Sequence, residues 1–420
     1  MGHSRVSTSA ALALFALFLF PAAGWCGEVI TLAQAVSRAL VFAPSVSSAS
    51  ANSDLSFGKL DEARAALYPD LSGAGEYNQA PGYDQRITNR GLTLGQLQAN
   101  YTVYDGGRRQ AQVRSARYAA QAARLGIQAA QAQIVFDTTV AYFDLLRNDD
   151  VVAEHEKRLK RLNTYVSIVE ALDRSGRAVA NDVLRVRTTR DQEQLALTAA
   201  GQTRAHASIV LGSLIGIFGQ TDLDVAGVTG LPSTPSGELL QSPTLRAAQR
   251  QVASARQAVQ AARAERFPTF KLALTSGYEG VDPPQTFRDH LGASYDGTLT
   301  VPLFDGGLIT SHIQQAQANL HAAIASQRQI EIQLKRDLAD AYALYRNALK
   351  QLGILATSKA AANDAFALDW TRFLGGGNVT LFEVLDAFQQ AENLHLTRLD
   401  QEFAARQAAA EVGLLLGVAQ

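Results

Sequence analysis

The sequence predicts a mainly α-helical protein with a smaller β part, built from a helix-strand-strand-helix unit that occurs twice. Three observations favour this fold class: a duplicated set of motifs, two long stretches without proline, and two pairs of segments with alternating polarity. The hydrophobic fraction is 47% and only 11 of the 420 residues are proline, a composition typical of long helices.

Short motifs recur in the same order about 200 residues apart. Tyr68-Pro69 returns as Phe267-Pro268, and the stretch 104–107 (YDGG) returns at 304–307 as FDGG. A period this long differs from the ~20–50 residues of solenoid repeats. We therefore predict a duplicated half-molecule, with a first repeat at 27–220, a linker at 221–237 and a second repeat at 238–420.

Proline and glycine mark where the helices end. No proline occurs between Arg108 and about Asp173, a length that makes a helical rod of roughly 100 Å at ~1.5 Å per residue. A second rod is predicted to end at Leu374, before three glycines. Shorter helices are predicted at 31–67 with a break near Pro44, at 182–215, at 238–266 and at 381–416. From their lengths, we predict that 182–215 continues upward into 238–266, and that 381–416 stacks below 31–67.

The strand segments are predicted near 69–80, 92–104, 268–280 and 293–304. Polar side chains occupy alternate positions in two of them: Gln96, Gln98, Asn100 and Thr102, then Asp296, Thr298 and Thr300. The apolar residues Leu97, Tyr101, Leu299 and Val301 alternate with them. Strands of ~9–11 residues with this pattern are typical of a membrane barrel wall. The polar set is therefore expected to line a water-filled lumen.

Four strands are too few to close a barrel, since about eight is the practical minimum. We therefore expect several copies to share one barrel. The alternative is a water-soluble four-stranded sheet on a helical bundle, which would make the protein an exported coiled-coil structural or adhesive protein with a soluble β cap. The duct would need detergent for extraction, whereas the alternative would not.

The N-terminus has the pattern of a secretory signal. Arg5 precedes an apolar run at 10–20 and a small-residue segment at 21–24, so we expect residues 1–26 to be a signal peptide. Cys26 is the only cysteine, which rules out an intrachain disulfide. It stands where a lipoprotein signal has its acylated cysteine, but Trp25 replaces the small residue of such signals, so ordinary cleavage is favoured over lipidation.

Several function classes find no support in the residues. The 38 basic and 39 acidic side chains balance, so no nucleic-acid partner is expected. The seven histidines are scattered without metal-ligand spacing, and neither a nucleophile elbow nor a phosphate-binding glycine loop is found. We expect no enzyme activity, no catalytic residue, no metal and no cofactor.

The duplicated junction motifs, followed by the stretch 377–387 (GNVTLFEVLDA) after the second rod, carry a resemblance to a known family. Along essentially its whole mature length the chain resembles the TolC-type outer membrane efflux proteins, also called outer membrane factors. The resemblance implies a homotrimer whose protomers each give four strands to a twelve-stranded barrel in the outer membrane of a Gram-negative bacterium, above a long α-helical coiled-coil tunnel through the periplasm. It also implies outer membrane lipid, a periplasmic adaptor protein and an inner-membrane transporter as partners, in efflux or type I secretion.

The same resemblance suggests roles for residues near the tips of the coiled coils. Glu383 and Asp386 match the acidic residues that line the periplasmic aperture, while Asp182 and Arg185 at the matching positions of the first repeat are expected to brace it. Gly176, Gly375, Gly376 and Gly377 are expected to form the turns at which an adaptor docks. Some members lock the entrance with an arginine at the position of Val379, so any lock here would use Arg185 or Arg177 instead.

Overall fold

The structure is a computed structural model that describes residues 29–84, 86, 91–235, 237–281 and 291–417. The expected signal peptide at 1–26, including Cys26, lies outside these residues. The predicted fold class is confirmed: long helices dominate, and the four strands form one sheet.

The helices are α1 (Leu32–Phe42), α2 (Pro44–Ala65), α3 (Arg108–Arg174), α4 (Ala180–Ile215), α5 (Pro243–Ala264), α6 (Leu308–Leu374) and α7 (Leu381–Leu416). The strands are β1 (Asp70–Gln79), β2 (Gly91–Tyr104), β3 (Thr269–Val281) and β4 (Leu291–Thr300). One turn of 3-10 helix, Leu239–Gln241, precedes α5. The two rods, α3 and α6, each have 67 residues.

The sheet is antiparallel, with the strand order β1-β2-β3-β4. Helix α2 leads into β1, β2 leads into α3, α5 leads into β3, and β4 leads into α6. The helices below the sheet therefore keep the order of the strands, and neighbouring helices pack against each other in that order. Within the described residues, β1 and β4 each pair on one side only.

The short helices stack end to end in two columns. Gly216, which ends α4, lies against the ring of Phe42 at the end of α1, and Gly417, which ends α7, lies against Pro243 at the start of α5. The predicted stacking was therefore wrong, because α4 lies below α1 and α2 while α7 lies below α5. Lengths could not distinguish the two arrangements, and the segment 216–238 carries the chain from one column to another.

This segment, which we call the strap, lies across the helices at mid-height. Tyr142 of α3 is buried. Its hydroxyl donates one hydrogen bond that is shared by two carbonyl oxygens, that of Ala226 at 2.7 Å and that of Ile30 at 3.0 Å. Farther along the strap, Tyr345 of α6 donates to the carbonyl oxygen of Pro232 at 2.8 Å. A buried cluster of apolar residues from α1, α3, α4 and the strap forms the largest part of the core.

Two predicted boundaries differ from the structure by four or five residues. Strand β4 ends at Thr300 instead of 304, because Pro302 has no amide hydrogen for a ladder bond. Helix α5 begins at Pro243 instead of 238, since proline is favoured at a first helical position. The N-cap of α3 is Gly107, with a φ of 83°, a left-handed conformation that favours glycine, and the carboxylate of Asp105 accepts from the amides of Gly107 and Arg109.

Candidate functional site

The strand register places the predicted lumen residues on one face of the sheet. Asn100 lies opposite Ala273, which also lies opposite Asp296, and residues directly opposite each other share a face. With the alternation along each strand, this face has seven predicted members: Gln96, Gln98, Asn100, Thr102, Asp296, Thr298 and Thr300. Asp70 and Lys271 share it too, opposite Asn100 and Thr102. Lys271 was not predicted, although it stands between Phe270 and Leu272 in the same alternation of polar and apolar residues.

The opposite face of the sheet is apolar and exposed. Leu97, Tyr101, Leu272, Leu274, Tyr295 and Leu299 lie on it. Tyr295 is 83% exposed and Leu299 is 63% exposed in the single protomer. An apolar face of this extent needs an apolar environment, and the alternation with polar residues is that of a barrel wall in lipid.

Four exposed aromatic residues mark one edge of this apolar face. Tyr68, Tyr104, Phe267 and Phe304 stand at the four junctions between helix and sheet. Aromatic side chains concentrate at the boundary between hydrocarbon and headgroups, where their rings are partly solvated. The junctions therefore define the level at which the sheet meets the periplasmic side of a membrane.

A hollow of about 790 Å³ opens below the polar face, between the sheet and the end of α2. Asp70, Asn100, Lys271 and Thr298 are among the residues that line it. It continues the polar face toward the helices, so the polar surface does not stop at the end of the strands.

The first strand-to-helix junction is held by a buried ion pair that the sequence did not reveal. Arg109 Nε lies 2.9 Å from Asp105 Oδ2, while Arg109 Nη1 donates to the carbonyl oxygen of Ala66 at 3.0 Å and Nη2 donates to that of Thr102. Burial opposes ionisation of Asp105, but the hydrogen bonds from Arg109 outweigh it and hold the Asp105 pKa below its ordinary value. The second repeat has Ile309 at the position of Arg109, so its junction lacks this connection.

At the far end of the rods, the two helical turns lie at the same level. Gly176 and Gly376 have φ angles of 72° and 78°, whereas Gly375 has an ordinary helical conformation. Arg177 Nη2 of the first turn donates to the carbonyl oxygen of Leu374 at 2.7 Å, next to the second turn. Gly377 completes the second turn, with its amide donating to the carbonyl oxygen of Arg372. These contacts hold the two tips together within one protomer.

Glu383 and Asp386 lie on the exposed side of α7, one helical turn apart. Glu383 Oε2 accepts hydrogen bonds from the amide of Thr380 at 2.7 Å and from its hydroxyl at 3.0 Å, and these bonds lower the pKa of Glu383. Asp386 accepts a hydrogen bond from Gln390 Nε2 at 2.7 Å. In the single protomer, Thr380 is thus the N-cap of α7 and Glu383 completes its capping box, a role that the position of Glu383 three residues after Thr380 also indicates.

The matching pair in the first repeat faces different partners. Asp182 Oδ2 accepts from the amide of Val179 at 3.4 Å. The guanidinium of Arg185 lies 5.7 Å from the ring centre of Phe382, beside Glu383. Arg185 therefore contacts the start of α7 through an aromatic ring, and among the described residues neither Asp182 nor Arg185 forms an ion pair with Glu383 or Asp386.

A buried ionic cluster about 20–30 Å above the tip, at ~1.5 Å per residue along α3, was not predicted. It joins residues of all four lower helices: Glu154, His155, Arg158 and Arg161 of α3, Glu193 of α4, Lys359 of α6, and Glu392 and His395 of α7. Burial and the neighbouring carboxyl of Glu154 raise the pKa of Glu392, although Arg161 opposes the shift. Because its members are separated by up to 241 positions, only the folded chain reveals the cluster.

The fold and the two-faced sheet define the protomer of a barrel channel that continues into a helical tunnel. Among the described residues, none of the helices combines the length and apolar character needed to cross a membrane. The family model for outer membrane efflux proteins matches residues 35–217 and 234–418, so the chain belongs to the outer membrane efflux protein family.

Known proteins agree with this assignment. Outer membrane efflux protein BepC of Brucella suis biovar 1 is 24% identical over 313 residues, covering 73% of this chain and 66% of BepC. Outer membrane protein TolC of Escherichia coli K12 is 24% identical over 382 residues, covering 85% of this chain and 76% of TolC. The fold is similar to that of VceC from Vibrio cholerae, with a TM-score of 0.83, 19% identity and coverage of 92% of this chain and 96% of VceC.

Proposed function

We propose that three copies of this chain form the outer membrane exit duct of a tripartite efflux or type I secretion system. The duct receives its cargo from an inner-membrane transporter through a periplasmic adaptor protein. In this proposal the chain forms a passage for the cargo and catalyses no reaction. The two repeats, 27–220 and 238–420 with a linker at 221–237, each supply two strands and the helices below them.

The observation that carries the proposal is the two-faced sheet. Its polar face gathers the seven predicted lumen residues, while its apolar face exposes Tyr295 and Leu299. Only closed barrels and helices leave no unpaired backbone groups in lipid. A closed wall therefore needs further copies, with β1 of one protomer paired to β4 of the next.

The name of one relative supports the proposal that this chain works together with a pump. A relative in Pseudomonas putida, 26% identical over 284 residues, is named as the outer membrane protein of a solvent efflux pump. In this chain, the surfaces proposed for the adaptor are the two tip turns at Gly176 and at 375–377, because they lie farthest from the sheet.

We propose further that Glu383 and Asp386 line the periplasmic aperture. Both are exposed in the protomer, so they are free to meet their copies about a threefold axis. Asp182 and Arg185 would brace this aperture from the first hairpin, through the contact of Arg185 with Phe382. Six carboxylates in one ring would favour cations.

Cysteine labelling tests the barrel. In a Cys26→Ser background, Gln98→Cys and Thr298→Cys on the polar face would be compared with Leu97→Cys and Leu299→Cys on the apolar face. A membrane-impermeant thiol reagent added to whole cells should label the first pair and spare the second. Labelling of the apolar pair alone would overturn the proposal, and extraction of the protein without detergent would favour the soluble β cap.

A further inference from the structure

Two neighbouring helices have a strong local excess of arginine. Residues 106–136 contain Arg108, Arg109, Arg114, Arg117 and Arg124 but no aspartate or glutamate. Residues 243–264 contain Arg246, Arg250, Arg256 and Arg263, again without an acid. The whole chain is balanced, with 38 basic and 39 acidic side chains, so this excess belongs to one region of the molecule.

These helices, the upper part of α3 and α5, pack side by side in opposite directions. Arg114 Nε donates to Gln257 Oε1 at 2.8 Å, and Ser115 Oγ donates to the carbonyl oxygen of Ser254 at 3.0 Å. A hollow of about 540 Å³ runs along one side of this contact. Its lining includes five arginines, Arg114, Arg117, Arg124, Arg246 and Arg250, and we call it the arginine groove.

The positive charge of the groove is not neutralised by the residues around it. Among the described residues, none of these five arginines forms an ion pair with a carboxylate. No acid lies within one helical turn of any of them in the sequence. Like charges gathered in one concave site repel each other and attract an anion. All five are arginine, whose planar fork binds phosphate oxygens in pairs.

The helices below the sheet pack side by side in a row. The spacing of residues along α3 indicates on which side of this row the groove lies. Gln121 and Gln128, seven residues apart, line the groove. Tyr142, which contacts the strap, follows Gln128 after two more intervals of seven residues along α3. Residues seven apart keep the same face of a supercoiled helix. The groove and the strap therefore lie on the same side of the row.

A second hollow, of about 760 Å³, lies on the other side of α3 and is shared by α2, α3 and α5. Ser56, Ala119 and Ala258 are among its lining residues. Three helices that are adjacent in the row line this hollow, so it lies on the concave side of the row. In the proposed duct the concave side faces the tunnel. The arginine groove faces outward into the periplasm. Its two helices are the central ones of the protomer, so pairing of β1 and β4 with other copies leaves it open.

We propose that the arginine groove is a binding site for phosphate groups of an extended anionic ligand. Arg114 and Arg124 are ten positions apart, about 15 Å along the helix axis, which spans several phosphates. Two sources carry this chemistry: free polyphosphate chains, and the headgroups of anionic lipid at the membrane boundary. Arg114 lies seven positions, about 10 Å, below Gly107 at the sheet junction, so headgroups would reach the upper end of the groove first.

The inference rests on the proposed function only for the statement that the arginine groove faces outward. Binding of phosphate groups in the groove does not require a conducting channel. Full-length protein in detergent micelles would be titrated with sodium tripolyphosphate by calorimetry. A parallel arm would place the protein in nanodiscs of phosphatidylglycerol or phosphatidylcholine and repeat the titration. Loss of tripolyphosphate binding in phosphatidylglycerol alone would identify lipid headgroups as the occupant.

The variant Arg124→Gln with Arg250→Gln removes two charges from the groove. Its matched control is Arg256→Gln with Arg263→Gln, since both arginines are exposed on α5 and neither lines the groove. We expect the groove variant to weaken tripolyphosphate binding by at least about tenfold and to reduce its salt dependence, while the control binds as the unmodified protein does. The absence of tripolyphosphate binding to the unmodified protein in micelles, or equal weakening in both variants, would overturn the proposal. If the cysteine labelling of the barrel is as expected, either of these two results would exclude phosphate binding in the groove without contradicting the proposed function.

Discussion

His155 of α3 and Glu193 of α4 are joined in the buried part of the lower bundle, with His155 Nδ1 2.6 Å from Glu193 Oε1. The second oxygen of Glu193 lies 3.3 Å from Arg158 Nη2. Arg158 also approaches Glu392 of α7, at 4.0 Å. Through Arg158, the carboxylate of Glu193 therefore helps to connect the two helical hairpins, beside the direct pairs of Arg161 with Glu392 and of His395 with Glu154.

The first prediction concerns this connection. Glu193→Ala leaves the buried charge of Arg158 without its nearest carboxylate, and removing one partner of a buried pair costs about 3–5 kcal/mol of unfolding free energy. Asp191→Ala on the same helix removes an exposed acid and should cost no more than about 1 kcal/mol. The unfolding free energies of both variants would be measured from the loss of the helical circular dichroism signal during denaturant unfolding in micelles. Equal losses in the two variants would show that the cluster adds no stability.

The second prediction concerns pH. Burial lowers the pKa of His395 below its ordinary 6.5, although Glu154 opposes the shift, and Lys359, Arg398 and Lys157 add to it. Lys359 Nζ lies 2.7 Å from His395 Nδ1, a geometry that suits a neutral ring accepting from the ammonium group. The unfolded chain therefore binds the proton more readily, and stability should fall as pH drops through the region below 6.5.

Replacement of the histidine supplies the control for this pH dependence. His395→Gln keeps an amide that can accept from Lys359 but does not titrate, so its unfolding free energy should vary less between pH 7.5 and 5.5. Parallel pH profiles for the two proteins would mean that other groups cause the change.

The third prediction compares the helix caps of the two tips. Thr380 Oγ1 accepts from the amide of Glu383 at 3.3 Å, whereas Val179 at the matching position before α4 has no acceptor atom. Thr380→Ala should cost about 1 kcal/mol, and Val179→Thr should gain a similar amount. Thermal unfolding of the two variants and of the double variant would measure the effects. A loss of stability in Val179→Thr would contradict the prediction.

The fourth prediction concerns the tip turns. Gly376 has a φ of 78°, so Gly376→Ala should strain the turn by roughly 1–2 kcal/mol, whereas Gly375→Ala meets an ordinary helical backbone. If the adaptor docks at this turn, Gly376→Ala should reduce adaptor pull-down while both variants insert equally into the outer membrane. Unchanged pull-down in Gly376→Ala and in the corresponding Gly176→Ala would place the docking surface elsewhere.

The fifth prediction concerns the two acids that are proposed to line the aperture. Glu383→Gln with Asp386→Asn should reduce the cation preference of the channel in planar bilayers, measured as a shift of the reversal potential across a salt gradient. Asp54→Asn with Glu62→Gln removes the same charge from exposed positions of α2, far from the tip. A shift of the same size in both variants would indicate a general effect of net charge.

The regular elements were predictable because local signals determine them. The uninterrupted stretches without proline predicted α3 and α6, and the alternation around Gln98 and Thr298 predicted which residues share a sheet face. The end of β4 could also have been predicted, since Pro302 lacks an amide hydrogen.

The contacts between distant segments were not predictable in the same way. The stacking of α4 below α1 depends on the packing of Gly216 against Phe42, and two arrangements of helices had matching lengths. The ionic cluster depends on pairs such as Arg161 and Glu392, which are 231 positions apart. Charged residues are common on helices, so only their burial in the assembled bundle distinguishes these from solvated neighbours.

Within the described part of the chain, the outer edges of β1 and β4 are unpaired, and this also constrains how the protein reaches its membrane. A lone protomer would carry two rows of open backbone groups into hydrocarbon, which lipid cannot satisfy. Insertion must therefore be a joint event of several chains, and its rate should rise more steeply than in proportion to the protomer concentration in the periplasm. At low expression, newly exported chains would wait for one another, with their apolar strands in need of a chaperone during that interval.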